Sequence, residues 1–259
     1  MATTNAFVSN LFAPYPLVTV CRMGSDTDQP RRSRRERPAK PALSRDGIVA
    51  TAVGIMRSEG LAKVTMRRLA QELDTGPASL YVYVANTAEL HAAILDELLE
   101  PLRVKDDGDW RERLEGLLTS YTNTLFAHPG LARAALVIQP SGAHYLRLIE
   151  SLLALLDEGG IAPAQAAWGV DLLLQYTTAT AAEQATRDQS ADTQAVWDSL
   201  TDTLHGTSDR THPHVADLAT HLVSGTAEQR MSWGIATLIN GIRDTPVPTE
   251  DASDRRDEA

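Results

Sequence analysis

Residues 64–90 read VTMRRLAQELDTGPASLYVYVANTAEL. Met66, Leu69, Ala70 and Leu73 recur at helical spacing, as do Leu80 and Val84, and Asp74-Thr75-Gly76-Pro77 between them interrupts any continuous helix. The pattern predicts two short helices about a turn, a helix-turn-helix. The second segment is too short to be stable alone. It packs through Leu80 and Val84, which leaves Ser79, Tyr81 and Tyr83 free to contact something else.

Immediately upstream, residues 30–41 read PRRSRRERPAKP. They lack apolar periodicity, are bounded by prolines, and carry Arg31, Arg32, Arg34, Arg35, Arg37 and Lys40, so they read as a flexible basic arm. Such an arm suits phosphates or a narrow minor groove, where the negative potential favours arginine. A solvated tail is the plainer alternative, but the position just ahead of a helix-turn-helix favours DNA.

The overall charge of -10 argues against a nucleic-acid partner until it is divided along the chain. Residues 22–45 carry a net +5, residues 46–86 are neutral and residues 87–259 carry -15. Local charge decides where DNA binds, because salt screens each patch beyond about 8 Å. With 259 residues and 43% hydrophobic content the chain has ample material for a core. Residues 7–21 are mildly apolar, but Pro14 and Pro16 interrupt them and no basic residue precedes them, so they fit neither a signal peptide nor an anchor. Cys21 is the only cysteine, which excludes an intrachain disulfide framework and fits a reducing cytoplasm.

Helical punctuation runs through the rest. Ser44 caps a helix with an apolar face of Ile48, Val49, Ala52, Val53 and Met56, ended by Gly60. Thr65 caps the next, Pro77 and Ala78 open the third, and Asn86 with Glu89 forms a capping box for a linking helix through Leu90, Ile94 and Leu98. Further helices are expected at 110–127, 131–139, 141–158, 163–187 and 226–242. The helix from Pro163 is apolar on most faces, and the last one carries Met231, Ile235, Leu238 and Ile242 on one stripe with Trp233 on another. Two such helices exceed the needs of one small bundle, so a second subunit is expected against them. Residues 189–225 read as a polar mobile loop with one short helix. The fold class is therefore all-α. Residues 1–43 form a disordered extension with the basic arm, 44–90 a helix-turn-helix domain, 91–244 a larger helical domain, and 245–259 a disordered acidic tail.

The run LSRDGIVATAVGIMRSEGLAKVTMRRLAQELDTGPASLYVYVANTAEL resembles the N-terminal domain of the tetracycline-repressor (TetR) family, and RMSWGIATLINGIR resembles the last dimerisation helix of its tetracycline-repressor branch. The resemblance implies a homodimer whose two recognition helices enter successive major grooves of an operator. It implies that Thr65 and Arg67 contact phosphate or bases, that Gly76, Pro77, Ala78 and Ser79 face base edges, and that Tyr81 and Tyr83 donate hydroxyls to phosphates. Thr87, at another DNA-facing position, replaces the lysine common there and removes one phosphate contact. Asp74 stands where the family usually has glycine, with glycine displaced to Gly76.

The resemblance also implies a small-molecule effector in the helical domain, which re-angles the linking helix and spoils the spacing of the reading heads. Candidate lining residues are Tyr121, Leu125, His144, Leu148, Trp168, Leu172, Gln175 and Tyr176. Each alone fits an ordinary core position; together their aromatic and polar tips suit an apolar or amphipathic ligand such as an antibiotic or metabolite. Tetracycline repressors hold a magnesium-bound drug partly through histidines in two segments that here read EPLRVKDD and RAALVIQP, without histidine. His212 and His214 have a metal-like spacing but lack a cysteine or carboxylate cluster, so no metal and no cofactor are expected. The chain has no phosphate loop, no GxSxG and no HExxH, which speaks against an enzyme. The expectation is a cytoplasmic, DNA-binding transcriptional repressor released by a small molecule. The alternative is an effector-independent regulator controlled by a protein partner or by abundance.

Overall fold

A computed structural model describes residues 42–138, 140–187 and 192–248. The arm with Arg31, Arg32, Arg34, Arg35 and Arg37, together with Cys21 and the acidic tail from residue 249, lies outside the described residues.

Eleven α-helices and no strand occur among the described residues, which confirms the all-α class. α1 (Arg45–Glu59), α2 (Met66–Glu72) and α3 (Pro77–Leu80) form the N-terminal trio. Ser44 accepts a hydrogen bond from the Gly47 amide, Thr65 accepts from Arg68, and Gly60 ends α1 at φ 87°. These are the stops and starts the sequence announces. The core under the trio joins Ile48, Ala52, Leu69, Leu80 and Val84, all fully buried or nearly so. Burying Leu80 and Val84 contributes roughly 1.5–3 kcal/mol each, and that tertiary contribution holds a one-turn helix in place.

The turn between α2 and α3 answers the sequence anomaly at Asp74. Asp74 takes φ 48°, the left-handed region usually reserved for glycine. The Thr75 amide donates to the Ala70 carbonyl at 2.8 Å and the Asp74 amide to Gln71 at 3.2 Å, a paired closure of the helix end. Aspartate tolerates this region better than most residues, at a residual strain of about 1 kcal/mol. Asp74→Gly is therefore expected to raise the melting temperature by roughly 1–3 °C, and the β-branched Asp74→Val to lower it by more; paired thermal melts check both.

α4 (Thr87–Leu98) follows, capped by the Asn86 side chain on the Glu89 amide. The reciprocal bond of the expected capping box is displaced by one residue: Glu89 Oε2 accepts from Ala85, not Asn86. α4 packs against α1 on one side and against α6 (Pro129–Ala135) and α7 (Ala143–Glu158) on the other. The expected domain boundary at residue 90 thus falls inside a helix shared by both parts.

α8 (Pro163–Arg187) is the mast of the larger part, contacted by α5 (Trp110–Phe126), α6, α7 and α11 (Ala227–Asp244). Gly234 of α11 faces the Tyr176 ring and Gly169 of α8 faces Ile242, with no room for a Cβ at either position, so α8 and α11 meet almost backbone to side chain. Two threonines that this core buries are satisfied locally: Thr122 donates to the Leu118 carbonyl and Thr177 to that of Leu173, each at 2.8 Å.

One sequence expectation is corrected. Residues 189–225 are not a loop with one short helix: within them lie α9 (Thr193–His205) and α10 (Pro213–Leu222), packed on each other. Their many threonines concealed this, being poor helix formers on average. Here Thr201, Thr203 and Thr207 each bond the carbonyl four residues back, which satisfies the hydroxyl without breaking the helix. No residue of α9 is buried, so the apolar signal for a packed helix was weak.

Candidate functional site

The described residues expected to face DNA lie on the exposed side of α2, α3 and the start of α4. Thr65 and Arg67 are exposed on α2, Gly76, Pro77, Ala78 and Ser79 open α3, and Thr87 is the first residue of α4. Leu80 and Val84 fix this edge from beneath, and Tyr81 (53% exposed) and Tyr83 (36%) project away from them. Small residues at the start of α3 allow close approach, while phenol and hydroxyl groups supply contacts that position without reading sequence.

Val82, 80% exposed, was missed among the sequence candidates. The signal was available: between the two anchors Leu80 and Val84 it must point outward. An exposed aliphatic group on a reading face suits the methyl of thymine.

Cationic charge on this face is sparse. Arg68 is held by Glu59 at 2.8 Å and Glu72 at 2.6 Å, and these hydrogen bonds push its guanidinium pKa further above its usual range. Its charge is thereby spent within the protein, leaving Arg67 and Lys63 as exposed cations near Thr65.

The eight candidate effector contacts do not converge on one chamber. Tyr121, Leu125 and Leu148 are buried in the helical core. The Tyr121 hydroxyl lies 2.8 Å from Thr178 Oγ1, and burial pushes its pKa up to about 12. His144, at the start of α7, is engaged with α4 through the Asp96 carbonyl at 3.0 Å. Tyr176 is half-buried against α11, and Trp168, Leu172 and Gln175 point outward from α8.

Trp168 and Leu172 instead line an open groove of about 750 Å³ with Thr237, Leu238, Gly241 and Ile242 of α11. Trp168 is 62% exposed and Trp233, one turn before Thr237, is 73% exposed. Trp168 and Leu172 on α8 and Trp233 on α11 thus expose large apolar side chains on two helices in contact, more than scattered surface residues require. His212 and His214 are exposed at the start of α10, and among the described residues no three His, Cys, Asp or Glu side chains are grouped to hold a metal.

A family model described as the tetracyclin repressor-like C-terminal domain matches residues 102–245. The chain is similar to the HTH-type transcriptional repressor DrrR1 of Streptomyces coeruleorubidus, 31% identical over 154 residues, an alignment spanning 58% of this chain and 57% of that repressor. Among solved structures, a Streptomyces transcription regulator, SCO7704, is 59% identical and superposes with a TM-score of 0.70 over 81% of this chain and 99% of its own. The Streptomyces coelicolor protein ActR, solved in complex with actinorhodin, is 35% identical with a TM-score of 0.70 over 78% of this chain and 96% of its own.

Proposed function

Because the chain belongs to the tetracycline-repressor family of transcriptional regulators, we propose that it works as a homodimeric repressor that leaves its operator when an apolar or amphipathic small molecule binds the helical domain. The observation that carries this reading is the linkage through α4, which packs on the reading trio through α1 and on the helical core through α6 and α7. A ligand that binds more tightly to one angle of α4 than to the other shifts the population of DNA-competent dimers by that difference in affinity.

The dimer is assigned to the α8–α11 face. Paired with its twofold copy, this face makes a four-helix bundle that covers Trp168, Leu172 and Trp233. The effector is assigned to the interior around Tyr121 and Leu125, where a buried phenol and the Thr178 hydroxyl orient an otherwise apolar guest. ActR was solved with actinorhodin, which makes actinorhodin the first compound to try here. The DNA contacts are those of the trio's exposed face, supplemented by the basic arm. Among the described residues no helix is long and apolar enough to cross a membrane, and a cytoplasmic DNA-bound protein is proposed.

The test is to map the DNA protected by the purified protein beside its own gene and then to titrate actinorhodin and a panel of aromatic metabolites into the complex. Protection of a palindromic site and its loss with one of these compounds is the expected result. Protection that no compound disturbs, with no ligand-induced shift in melting temperature, would favour the effector-independent alternative.

A further inference from the structure

The end of α4 remote from the reading trio is tied to α7 by an arrangement that ordinary helix packing does not require. The N-terminus of α7 has unpaired backbone amides, and its cap residue, Gly142, offers no side chain to meet them. Asp96 of α4 meets them instead: its Oδ1 accepts the amide of Tyr145, the third residue of α7, at 2.8 Å. This is the bond a capping carboxylate makes within its own helix, supplied here from another helix.

The seat depends on residue 142 being glycine, since a Cβ there would fall inside the Asp96 carboxylate. His144 closes the opposite side. Its Nδ1 lies 3.0 Å from the Asp96 carbonyl, which can only accept, so this nitrogen carries the hydrogen, and it lies 3.6 Å from the carboxylate. One turn on, Arg147 donates to the Glu100 carbonyl at 2.7 Å. The Asp96 side chain is only 18% exposed, so water competes weakly with these bonds.

The same residue that holds Asp96 reaches into the core. The half-buried ring of Tyr145 packs against the core, α7 packs on α5, and Tyr121 of α5 is bonded to Thr178 of α8. Contacts therefore run from α8 through α5 and α7 to α4 without a gap.

The geometry points to Asp96 as a positioning residue: its carboxylate, seated on the N-terminus of α7 over Gly142, fixes the angle of α4 against the helical core and so sets the separation of the two reading heads. This rests on the homodimer reading above. Loss of the seat frees α4 to adopt several angles, and operator binding weakens because fewer dimers hold the required spacing.

The test uses the full-length chain with Cys21→Ser and a spin label at Gln71→Cys, an exposed α2 position, to measure the distance between the two heads. The parent is expected to give one narrow distance. Asp96→Ala and Gly142→Ala broaden or displace it and, in unlabelled protein, weaken binding to the DNA mapped beside its own gene roughly threefold to thirtyfold. Asp96→Asn, which keeps the acceptor oxygen, stays close to the parent in both measurements. If Asp96→Ala melts too low to be labelled, Gly142→Ala decides, because it removes no hydrogen-bonding group. A narrow, unchanged distance in the alanine variants overturns the joint while leaving the dimer intact. A parent that gives no inter-head distance fails the dimer reading, and the joint with it.

Discussion

Trp233→Glu is expected to turn the dimer into a folded monomer and to weaken operator binding by at least ~100-fold. Trp233 is 73% exposed in the protomer, so the protomer loses little packing when it is replaced. In the dimer assigned here it is covered by the partner. A twofold axis repeats the substitution, so two carboxylates would be buried for every interface formed, each at an effective cost of several kcal/mol when unpaired. At about 1.4 kcal/mol per factor of ten, that loss is enough to abolish dimerisation at micromolar concentration. A single reading head then keeps only half the contacts and none of the benefit of linkage. Sedimentation velocity, far-UV circular dichroism and an operator titration on the same preparation check the three parts. A Trp233→Glu protein that remains dimeric and binds DNA normally would remove the α8–α11 face as the subunit interface.

Deleting residues 30–41 is expected to cost at least ~100-fold in operator affinity at physiological salt and to flatten its salt dependence. Each cation placed on a phosphate contributes about 0.9 to the slope of log affinity against log salt. The segment removes five arginines and one lysine per chain. The folded reading face cannot replace them, because Arg68 is committed to Glu59 and Glu72. A slope lower by roughly 3–5 per arm is the expected reading. An unchanged slope across a salt series would show that the trio binds without the arm. Selectivity among operator sequences should change far less than affinity, since phosphate contacts carry little sequence information.

Joined, these expectations describe a regulator in which geometry and electrostatic affinity come from different stretches of chain. The trio would present a hydroxyl-rich surface with the exposed aliphatic Val82 and few exposed cations, and the arm would supply most of the charge. On that reading the acidic remainder, at -15 over residues 87–259, would repel DNA from the rest of the molecule and favour binding in a single orientation.

The sequence by itself determined the all-α class, the caps at Ser44, Thr65 and Asn86, the stop at Gly60 and the break before Pro77. These are decided within one turn of helix, where the side chain that ends or starts the element is its sequence neighbour. It also identified Leu80 and Val84 as anchors and hence the outward direction of Ser79, Tyr81 and Tyr83, because so short a stretch held by two buried residues has only one other side. Tertiary structure decided the rest. Periodicity shows that α8 is apolar on most faces, but only its neighbours α5, α6, α7 and α11 determine that Leu173 and Leu174 are buried while Trp168 and Leu172 are exposed beside α11. That distinction separates interior candidates such as Tyr121 and Leu125 from an exposed apolar face. α9 and α10 were hidden because they bury almost nothing. The seating of Asp96 over Gly142 joins residues 46 positions apart, and a bond between distant segments leaves no local mark in either. Residue 74 shows both limits at once: the sequence marked Asp74 as out of place, and the folded turn, at φ 48°, shows the aspartate taking the conformation of the glycine it replaces.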